Sequence, residues 1–412
     1  MSAGKEGRGA EGGLAASVRD AGGRGVEGRA VGDRAEEGRL ADERAAAGWS
    51  SCACDVETQV EGPREGIFEF RGLHFHYLVW GPRNWEAARV GAEKDPAGAP
   101  APLTASAPAS APLVLLHGFA QSAASWAQAA SLLARGRAVY ALDLTGHGGS
   151  DRPGSPEPYR LSAQGEALLA FLENVAKSGG EAADAARSAR RPVVVGYSMG
   201  GRVVLAALVR APEVFANCVG GLVLESAGLG PASAEERARA ARADAERAAH
   251  LREAGVEAFM KEWERLPLFA SQERLSPDVR ARVRQERLAN DAEALARTIE
   301  GAGQHAMPSR EQTLAALEGL AAAGVPVLYL AGSLDAKYCA LAESLSAPDA
   351  GEPKAAARLA PGAPGIEVRI VEGAGHNIHL EAPKAFCEVV ETFFSNVADD
   401  SSGMRDKGQA AG

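Results

Sequence analysis

The fold of this chain is decided by ten residues, Val193-Val194-Val195-Gly196-Tyr197-Ser198-Met199-Gly200-Gly201-Arg202. The β-branched run favours a strand, and the Gly-x-Ser-x-Gly pattern that follows is typical of a strand turning directly into a helix. Gly196 and Gly200 leave room where the two elements cross, and the turn exposes Ser198 at the start of the helix. Unpaired N–H groups there can stabilise an oxyanion. The stretch predicts a nucleophile elbow.

The chain is longer than one catalytic domain of this kind requires. It has 412 residues, whereas about 270 suffice for a large α/β domain. Residues 1–62 contain few aromatic or β-branched residues and carry an arginine at every fifth position from 19 to 44. We expect a disordered low-complexity tail there, loose insertions at 92–111 and 177–191, and a disordered C-terminal tail over 396–412.

Charge and composition argue against several classes of protein. Acidic residues outnumber basic ones in the N-terminal tail, which argues against a transit peptide or a nucleic-acid-binding arm, and we recognise no secretion signal. No apolar run is long enough to span a bilayer. The formal net charge of −10 also disfavours nucleic acid as a partner, but it does not exclude a small anionic substrate.

The cysteines predict neither a disulfide framework nor a metal centre. Five cysteines are scattered over the chain, and an odd number at irregular spacing is not a disulfide pattern. Cys52 and Cys54 could form half of a metal site, but no second pair accompanies them, so an incidental thiol pair is the simpler interpretation. We therefore expect no metal and a reducing cytoplasmic location.

Strand and helix patterns alternate through most of the remaining sequence. A hairpin is predicted at 67–70 and 73–77, and buried strands follow at 113–116, 138–142, 193–197, 221–224, 325–330 and 366–371, with helices at 161–176, 200–210 and 380–394. Nearly continuous apolar strands are typical of a mostly parallel sheet with helices on both faces. The exception is 229–321, which is charged, rich in alanine and without a strand pattern. We expect a helical cap there, and an α/β core at 63–228 and 322–395.

A serine on such an elbow needs a base and an acid that orients the base. Asp335 follows the strand pattern at 325–330, and His376 follows the last strand. The order Ser, Asp, His is the one expected of an α/β-hydrolase fold. Glu225 is a rival acid, but it precedes the cap and is better explained as a structural hydrogen-bonding group. The predicted triad is therefore Ser198, His376 and Asp335.

The predicted oxyanion donors are the backbone N–H groups of Phe119 and Met199. Met199 follows the nucleophile, and Phe119 lies in the loop after an early strand, which are the two positions this fold uses. Gly118 permits a close approach of the backbone. Three other histidines have structural explanations, as residues that hydrogen-bond their own loops: His117, His147 and His379.

From about 112 to 394 the chain resembles the 2-succinyl-6-hydroxy-2,4-cyclohexadiene-1-carboxylate synthase family, lyases with an α/β-hydrolase fold in menaquinone biosynthesis. The motifs that carry this resemblance are His117-Gly118-Phe119 with Trp126, the elbow through Arg202, Leu224-Glu225-Ser226-Ala227, Trp263 through Ser271, Arg287-Leu288, Asp335-Ala336-Lys337-Tyr338, and Ala374 through Glu381. Many hydrolases share the elbow. The motif at 263–271 and Arg202 are much less common.

The resemblance implies an elimination that uses no cofactor. The family removes a proton from 2-succinyl-5-enolpyruvyl-6-hydroxy-3-cyclohexene-1-carboxylate and expels pyruvate, with the serine acting as the base. Arg202 and Arg287 match its substrate-contacting positions, and Tyr197 and Trp263 match residues that line its pocket. Arginines suit a substrate with three carboxylates, because the guanidinium can bind a carboxylate through two hydrogen bonds. Without the resemblance, Arg202 could equally be a surface salt-bridge residue.

One family position is not matched, and alternative functions remain open. The family carries a third arginine four residues before an aspartate in the cap, but Asp244 is preceded there by Ala240, with Arg239 and Arg242 on either side. Either of these two could face the substrate. A carboxylesterase or C–C hydrolase using the same triad is the main alternative, and a non-catalytic binding protein is a third. The sequence leaves the oligomeric state and the role of the N-terminal tail open.

Overall fold

The computed structural model describes residues 62–81, 111–135, 137–177, 191–346 and 365–403. Residues 1–61 of the predicted tail, most of the two predicted insertions, and residues 404–412 lie outside this part of the chain, as do Cys52 and Cys54. Among the described residues, no helix combines the length and apolar character needed to cross a membrane.

An eight-stranded sheet forms the centre of the described structure. Its strands, in chain order, are β1 (Arg64–Phe70), β2 (Leu73–Trp80), β3 (Leu113–Leu116), β4 (Val139–Leu142), β5 (Val193–Tyr197), β6 (Gly221–Glu225), β7 (Val327–Gly332) and β8 (Ile366–Val371). Across the sheet the order is β1-β2-β4-β3-β5-β6-β7-β8. Strand β2 is antiparallel to both neighbours, and all remaining pairs are parallel. The prediction of a mostly parallel sheet with an initial hairpin is confirmed.

The elbow strand β5 is in the interior of the sheet, between β3 and β6. Every residue of β5 is buried, as its valine-rich sequence predicts for a strand covered on both faces. Successive valines point to opposite faces. Val194 belongs to one core cluster, whereas Val193 and Val195 belong to the cluster on the other side. Ser198 therefore emerges from the carboxyl end of a rigid central strand.

Helices cover both faces of the sheet and form the segment between β6 and β7. They are α1 (Ala127–Leu133), α2 (Leu161–Lys177), α3 (Met199–Arg210), α4 (Pro212–Cys218), α5 (Ala234–Trp263), α6 (Pro277–Leu288), α7 (Ala292–Ala302), α8 (Arg310–Ala322), α9 (Ala336–Ser346), α10 (Ile378–Glu381) and α11 (Pro383–Gly403), with 3₁₀ turns at Ala123–Trp126, Glu157–Tyr159, Pro267–Arg274 and Gln304–Ala306. Buried residues of α2 and α3 share one core cluster, and those of α1 and α11 share the other.

The predicted cap segment, 229–321, contains helices and no strand. Residues of α5 and α7, among them Leu251, Phe259 and Leu295, form a third buried cluster with Ala120 of the loop after β3. Helix α8 behaves differently, since its Leu317 and Leu320 belong to a core cluster of the sheet. We therefore propose that the cap ends before α8.

The C-terminal helices differ from the prediction in two ways. The predicted helix over 380–394 is divided at Ala382 into α10 and α11, because Pro383 cannot donate the backbone hydrogen bond that would continue α10. Helix α11 then extends to Gly403, although a disordered tail was expected from 396. No proline or glycine interrupts α11 between Pro383 and Gly403, so the local sequence contains no helix-ending signal before that glycine.

Candidate active site

Ser198 adopts the strained backbone conformation of a nucleophile elbow. Its φ is +49°, in a region that residues with a β-carbon rarely occupy. The surrounding glycines make this turn possible, because a β-carbon on Gly196 would lie 2.7 Å from the Gly201 Cα atom, and one on Gly200 would collide with the backbone of Leu116. The Ser198 N–H donates to the carbonyl oxygen of Glu225 at 2.9 Å, which fixes the elbow to β6.

His376 bridges Ser198 and Asp335. Its Nε2 atom lies 3.0 Å from Ser198 Oγ, and its Nδ1 atom lies 2.7 Å from Asp335 Oδ2. His376 and Asp335 are buried, whereas Ser198 is partly exposed. A carboxylate at Nδ1 selects the tautomer that carries its proton there, so Nε2 is left to accept the serine proton. The three residues follow the carboxyl ends of β5, β7 and β8, which meet at one edge of the sheet.

The two predicted oxyanion donors belong to the elbow and to the loop after β3. Met199 is the first residue of α3, so its N–H has no acceptor within the helix. Phe119 lies in the loop after β3, where Gly118 passes so close to Tyr197 that a β-carbon would be 2.5 Å from the ring. Only glycine fits that approach. The amide oxygen of Gln121 accepts the Gly118 N–H at 3.2 Å and holds the loop at this point.

His117 and His147 hold loops beside the site. The Nε2 atom of His117 accepts the Leu144 N–H at 3.0 Å, and its Nδ1 atom lies 2.8 Å from the Gly118 carbonyl oxygen. Burial lowers the pKa of His117, and burial also lowers the pKa of His147 to about 3. Both rings are therefore neutral near pH 7, and neither contacts Ser198.

Glu225 binds a different histidine from the one that faces Ser198. Its carboxylate is fully buried and holds His379 through Nδ1 at 2.8 Å and through the backbone N–H at 3.0 Å. The His379 ring also stacks on Trp126, with ring centroids 3.6 Å apart. Glu225 thus fixes the start of α10, and through its carbonyl oxygen it fixes Ser198.

Arg202 is a half-buried cation close to the nucleophile. It lies four residues beyond Ser198 on α3, which is about one helical turn. One terminal nitrogen donates to the Ala302 carbonyl oxygen at 3.0 Å, while the buried Nε has no partner among the described residues. Burial lowers the pKa of Arg202, and the Asp244 carboxylate acts in the opposite sense without forming a salt bridge. The guanidinium therefore has an unsatisfied donor in a desolvated place.

Arg287 is buried, and it has protein partners. It donates to Glu264 Oε1 at 3.2 Å and to Gln272 Oε1 at 3.0 Å. Its guanidinium carbon also lies 5.2 Å from the centroid of the Phe269 ring. Glu264 lies in the motif at 263–271 and Gln272 follows it, but no local pattern marks either as a partner of Arg287.

Aromatic side chains surround His376 and connect the triad to the cap. The rings of Tyr338, Tyr197 and Phe269 lie with centroids 4.8, 5.4 and 6.0 Å from that of His376. Trp263 lies 5.2 Å from Phe119 and 5.9 Å from Phe269. Tyr338 and Phe269 occur in the motifs quoted above, but the sequence alone did not assign them to the site. The rings leave His376 only 2% exposed.

The arginine beside Asp244 is not one of the two candidates from the sequence. Arg239 and Arg242 are both exposed on α5. Arg247 instead donates to Asp244 Oδ1 at 2.9 Å, and His305 Nδ1 lies 2.8 Å from Oδ2. Arg247 follows the aspartate by three positions, which on a helix places it on the same face. Whether Arg239 or Arg242 faces the substrate stays a prediction.

The elbow, the order of the triad and the parallel sheet define the class of protein. Residues 113–389 match the family model described as the alpha/beta hydrolase family, and the chain belongs to that family. Within the described residues, no group of three or more His, Cys, Asp or Glu side chains is arranged to hold a metal ion.

Relatives narrow the assignment further. A Bacillus subtilis (strain 168) protein assigned as a 2-succinyl-6-hydroxy-2,4-cyclohexadiene-1-carboxylate synthase is 30% identical over 289 residues, which are 70% of this chain and 92% of the relative. A Salmonella agona (strain SL483) protein of the same name is 28% identical over 279 residues, 67% of this chain and 90% of the relative. MenH from S. aureus superposes with a TM-score of 0.58 at 25% identity, covering 70% of this chain and 94% of that structure. The chain belongs to the 2-succinyl-6-hydroxy-2,4-cyclohexadiene-1-carboxylate synthase family.

Proposed function

We propose that this protein is a lyase of menaquinone biosynthesis. It eliminates pyruvate from 2-succinyl-5-enolpyruvyl-6-hydroxy-3-cyclohexene-1-carboxylate and forms 2-succinyl-6-hydroxy-2,4-cyclohexadiene-1-carboxylate, without a cofactor. The product is the compound in the names of the relatives. The observation in this chain that best supports the proposal is Arg202, a half-buried cation one helical turn from Ser198 whose buried Nε has no partner among the described residues and which has no carboxylate partner there. An anionic substrate would supply the missing partner.

The names of substrate and product define the bonds that change. The ring carbon that bears the succinyl group carries a hydrogen next to the succinyl ketone. When this proton leaves, its electron pair enters the ring, the 3,4 double bond shifts, and the bond from C5 to the enolpyruvyl oxygen breaks. The departing enolpyruvate takes up a proton on carbon and becomes pyruvate. Negative charge develops on the ketone oxygen as the first proton is removed, so this step needs both a base and an oxyanion site.

Ser198 is the proposed base. His376 Nε2, at 3.0 Å from Ser198 Oγ, accepts the serine proton as the oxygen takes the proton from the substrate carbon. Asp335 stabilises the positive charge on the imidazole and keeps Nδ1 protonated. The N–H groups of Phe119 and Met199 then stabilise the enolate oxygen. No covalent bond to the serine is required, because the reaction transfers protons and expels a leaving group.

Arginines of the core and the cap hold the substrate carboxylates in this proposal. Arg202 binds one of them directly, because its Nε is unsatisfied in the absence of substrate. Arg287 already shares its charge with Glu264, so a substrate carboxylate would add to that pair or displace it. Tyr197 and Trp263 provide apolar walls. Together these contacts fix the ring relative to Ser198, as an oriented proton transfer requires.

The decisive experiment measures two reactions on the full-length protein. Pyruvate release from the enolpyruvyl substrate is compared with hydrolysis of a short-chain p-nitrophenyl ester. We expect pyruvate release with a kcat/KM far above that for the ester. Ester hydrolysis without pyruvate release would instead identify a serine hydrolase that uses the same triad. The Ser198→Ala variant is the control for both reactions.

The remaining assignments follow from this function. We propose a small anionic substrate as the partner, rather than nucleic acid, in keeping with the acidic chain. We also propose a cytoplasmic location, because the described cysteines, Cys218, Cys339 and Cys387, are free thiols, as is usual in a reducing compartment.

A further inference from the structure

Two residues of the cap form hydrogen bonds with the loop that carries Phe119. This loop, Gly118–Ser122, is called the oxyanion loop below. Glu286 on α6 accepts two hydrogen bonds through Oε1, from the Ser122 N–H at 2.7 Å and from the Ser122 hydroxyl at 2.6 Å. Asn290, just beyond α6, donates through Nδ2 to the Ala120 carbonyl oxygen at 3.1 Å. The contact between Glu286 and Ser122 joins residues 164 positions apart.

The oxyanion loop requires support because its backbone is strained. Ala120 has a φ of +58°, although a residue with a β-carbon disfavours positive φ. The direction of the Phe119 N–H is set by the dihedral angles of Gly118 and Phe119, and a relaxation at the next residue, Ala120, would shift the loop that holds them. The start of the loop is held from within, since its own Gln121 accepts the Gly118 N–H. The cap supports the far side, at Ala120 and Ser122.

We propose that Glu286 and Asn290 are positioning residues for the oxyanion hole. They act through the loop backbone and touch no reacting atom. The oxyanion hole is therefore complete only when the cap packs on the core. The inference rests on the proposed role of Phe119 and Met199 as oxyanion donors. It does not depend on elimination being the reaction, since a tetrahedral intermediate of ester hydrolysis needs the same two donors.

Glu286 and Arg287, the proposed substrate-binding arginine, are adjacent on α6. Substrate binding and support of the oxyanion loop therefore act through the same helix. The next residue, Arg287, points to Glu264 and Gln272 within the cap, while Glu286 points to the core. The charged groups that face Glu286 are Asp143, from the segment after β4, and Arg287 on its own helix. Burial raises the pKa of Glu286 to about 7, while the bonds from Ser122 and the charge of Arg287 lower it. The ionised carboxylate is the better acceptor for both Ser122 donors.

The test uses reactivity at Ser198 that needs neither substrate. A fluorophosphonate phosphonylates the serine oxygen and releases fluoride, and its phosphoryl oxygen occupies the oxyanion hole. We expect the labelling rate to fall about tenfold or more in Glu286→Ala and in Asn290→Ala, a smaller loss than that from removing an oxyanion donor outright. Glu286→Gln keeps an acceptor oxygen and should recover most of the rate. Glu253→Ala, which removes an exposed carboxylate from α5, is the matched control.

Steady-state kinetics then separate positioning from folding and from substrate binding. For Glu286→Ala, kcat should fall for pyruvate release and ester hydrolysis alike, with KM and the melting temperature close to wild type. An unchanged labelling rate in Glu286→Ala would overturn the inference, as would failure of the reagent to label the wild-type chain. A loss confined to pyruvate release would also overturn it, because the residue would then serve substrate binding. Ester hydrolysis without pyruvate release in the wild type would refute the lyase proposal only. The labelling rates of the Glu286 and Asn290 variants would still decide this inference.

Discussion

The backbone N–H of Ser198 donates to the carbonyl oxygen of Glu225 at 2.9 Å, and the side chain of the same glutamate holds His379 instead of His376. Glu225 therefore acts on the nucleophile through its main chain, which any residue at this position could provide. The acid that orients His376 is Asp335, at 2.7 Å. The two carboxylates lie at the ends of the neighbouring strands β6 and β7, and each binds a different histidine.

This separation predicts opposite effects for two isosteric changes. Asp335→Asn should lower kcat by about 10³-fold or more with little change in melting temperature, because an amide favours the wrong tautomer of His376. Glu225→Gln should lower the melting temperature and leave most of kcat, because it weakens the buried pair with His379 and keeps the carbonyl oxygen that accepts the Ser198 N–H. Turnover and thermal unfolding of both variants provide the measurement. A larger loss of kcat in Glu225→Gln than in Asp335→Asn would mean that Glu225, and not Asp335, is the acid that serves His376.

Losses within the triad should not multiply. Ser198→Ala and His376→Ala should each remove most activity without unfolding the protein, because the two side chains transfer one proton as a unit. The double variant should be about as inactive as the worse single variant. Pyruvate release by the three proteins measures the coupling. Rate losses that multiply would mean that Ser198 and His376 act independently.

Arg202→Ala should separate catalysis from stability. We expect a cost of about 2–4 kcal/mol in kcat/KM for the tricarboxylate, because a buried substrate charge loses its partner. A neutral ester should be little affected. Arg202→Met should raise the melting temperature, because it removes a desolvated cation that has no ion-pair partner. Lysine should restore activity poorly, since it lacks the planar fork. Equal losses on both substrates would show that Arg202 supports the fold.

Glu286 predicts a dependence of stability on pH. Its pKa is raised to about 7 in the folded protein, above the value near 4.3 of an unfolded chain. At a pH between these two pKa values, the folded protein keeps the Glu286 proton and the unfolded chain has lost it. The stabilisation that this proton gives declines as pH rises through about 7. Wild type should lose more melting temperature than Glu286→Gln between pH 5 and pH 8. Identical changes in the two proteins would exclude Glu286 as the source.

Removal of residues 1–60 should leave turnover and melting temperature nearly unchanged. The sequence of this segment has too little apolar surface to contribute to a packed core. Comparison of the truncated and full-length proteins in both assays provides the check. A substantial loss in either assay would indicate that the segment contributes to the folded domain.

The interpretation of the site from sequence was strongest where chemistry depends on local geometry. Valine-rich strands, the glycines beside Ser198, and the positions of Asp335 and His376 after later strands suffice to predict three side chains that meet at one edge of the sheet. The interpretation was weakest in the cap. The sequence suggested Arg239 or Arg242 as an arginine that faces the substrate, but it gave no sign that Arg247 binds Asp244.

The strands, the elbow and the order of the triad follow from the amino-acid pattern, because periodicity and steric limits act over a few residues. The pairing of charges depends on the folded chain. The tertiary structure joined Arg287 to Glu264, left Arg202 without a carboxylate partner among the described residues, and set Glu286 against Ser122. The physical reason is that hydrogen bonds and ion pairs between distant residues depend on how the cap packs on the core, and no local pattern encodes that packing.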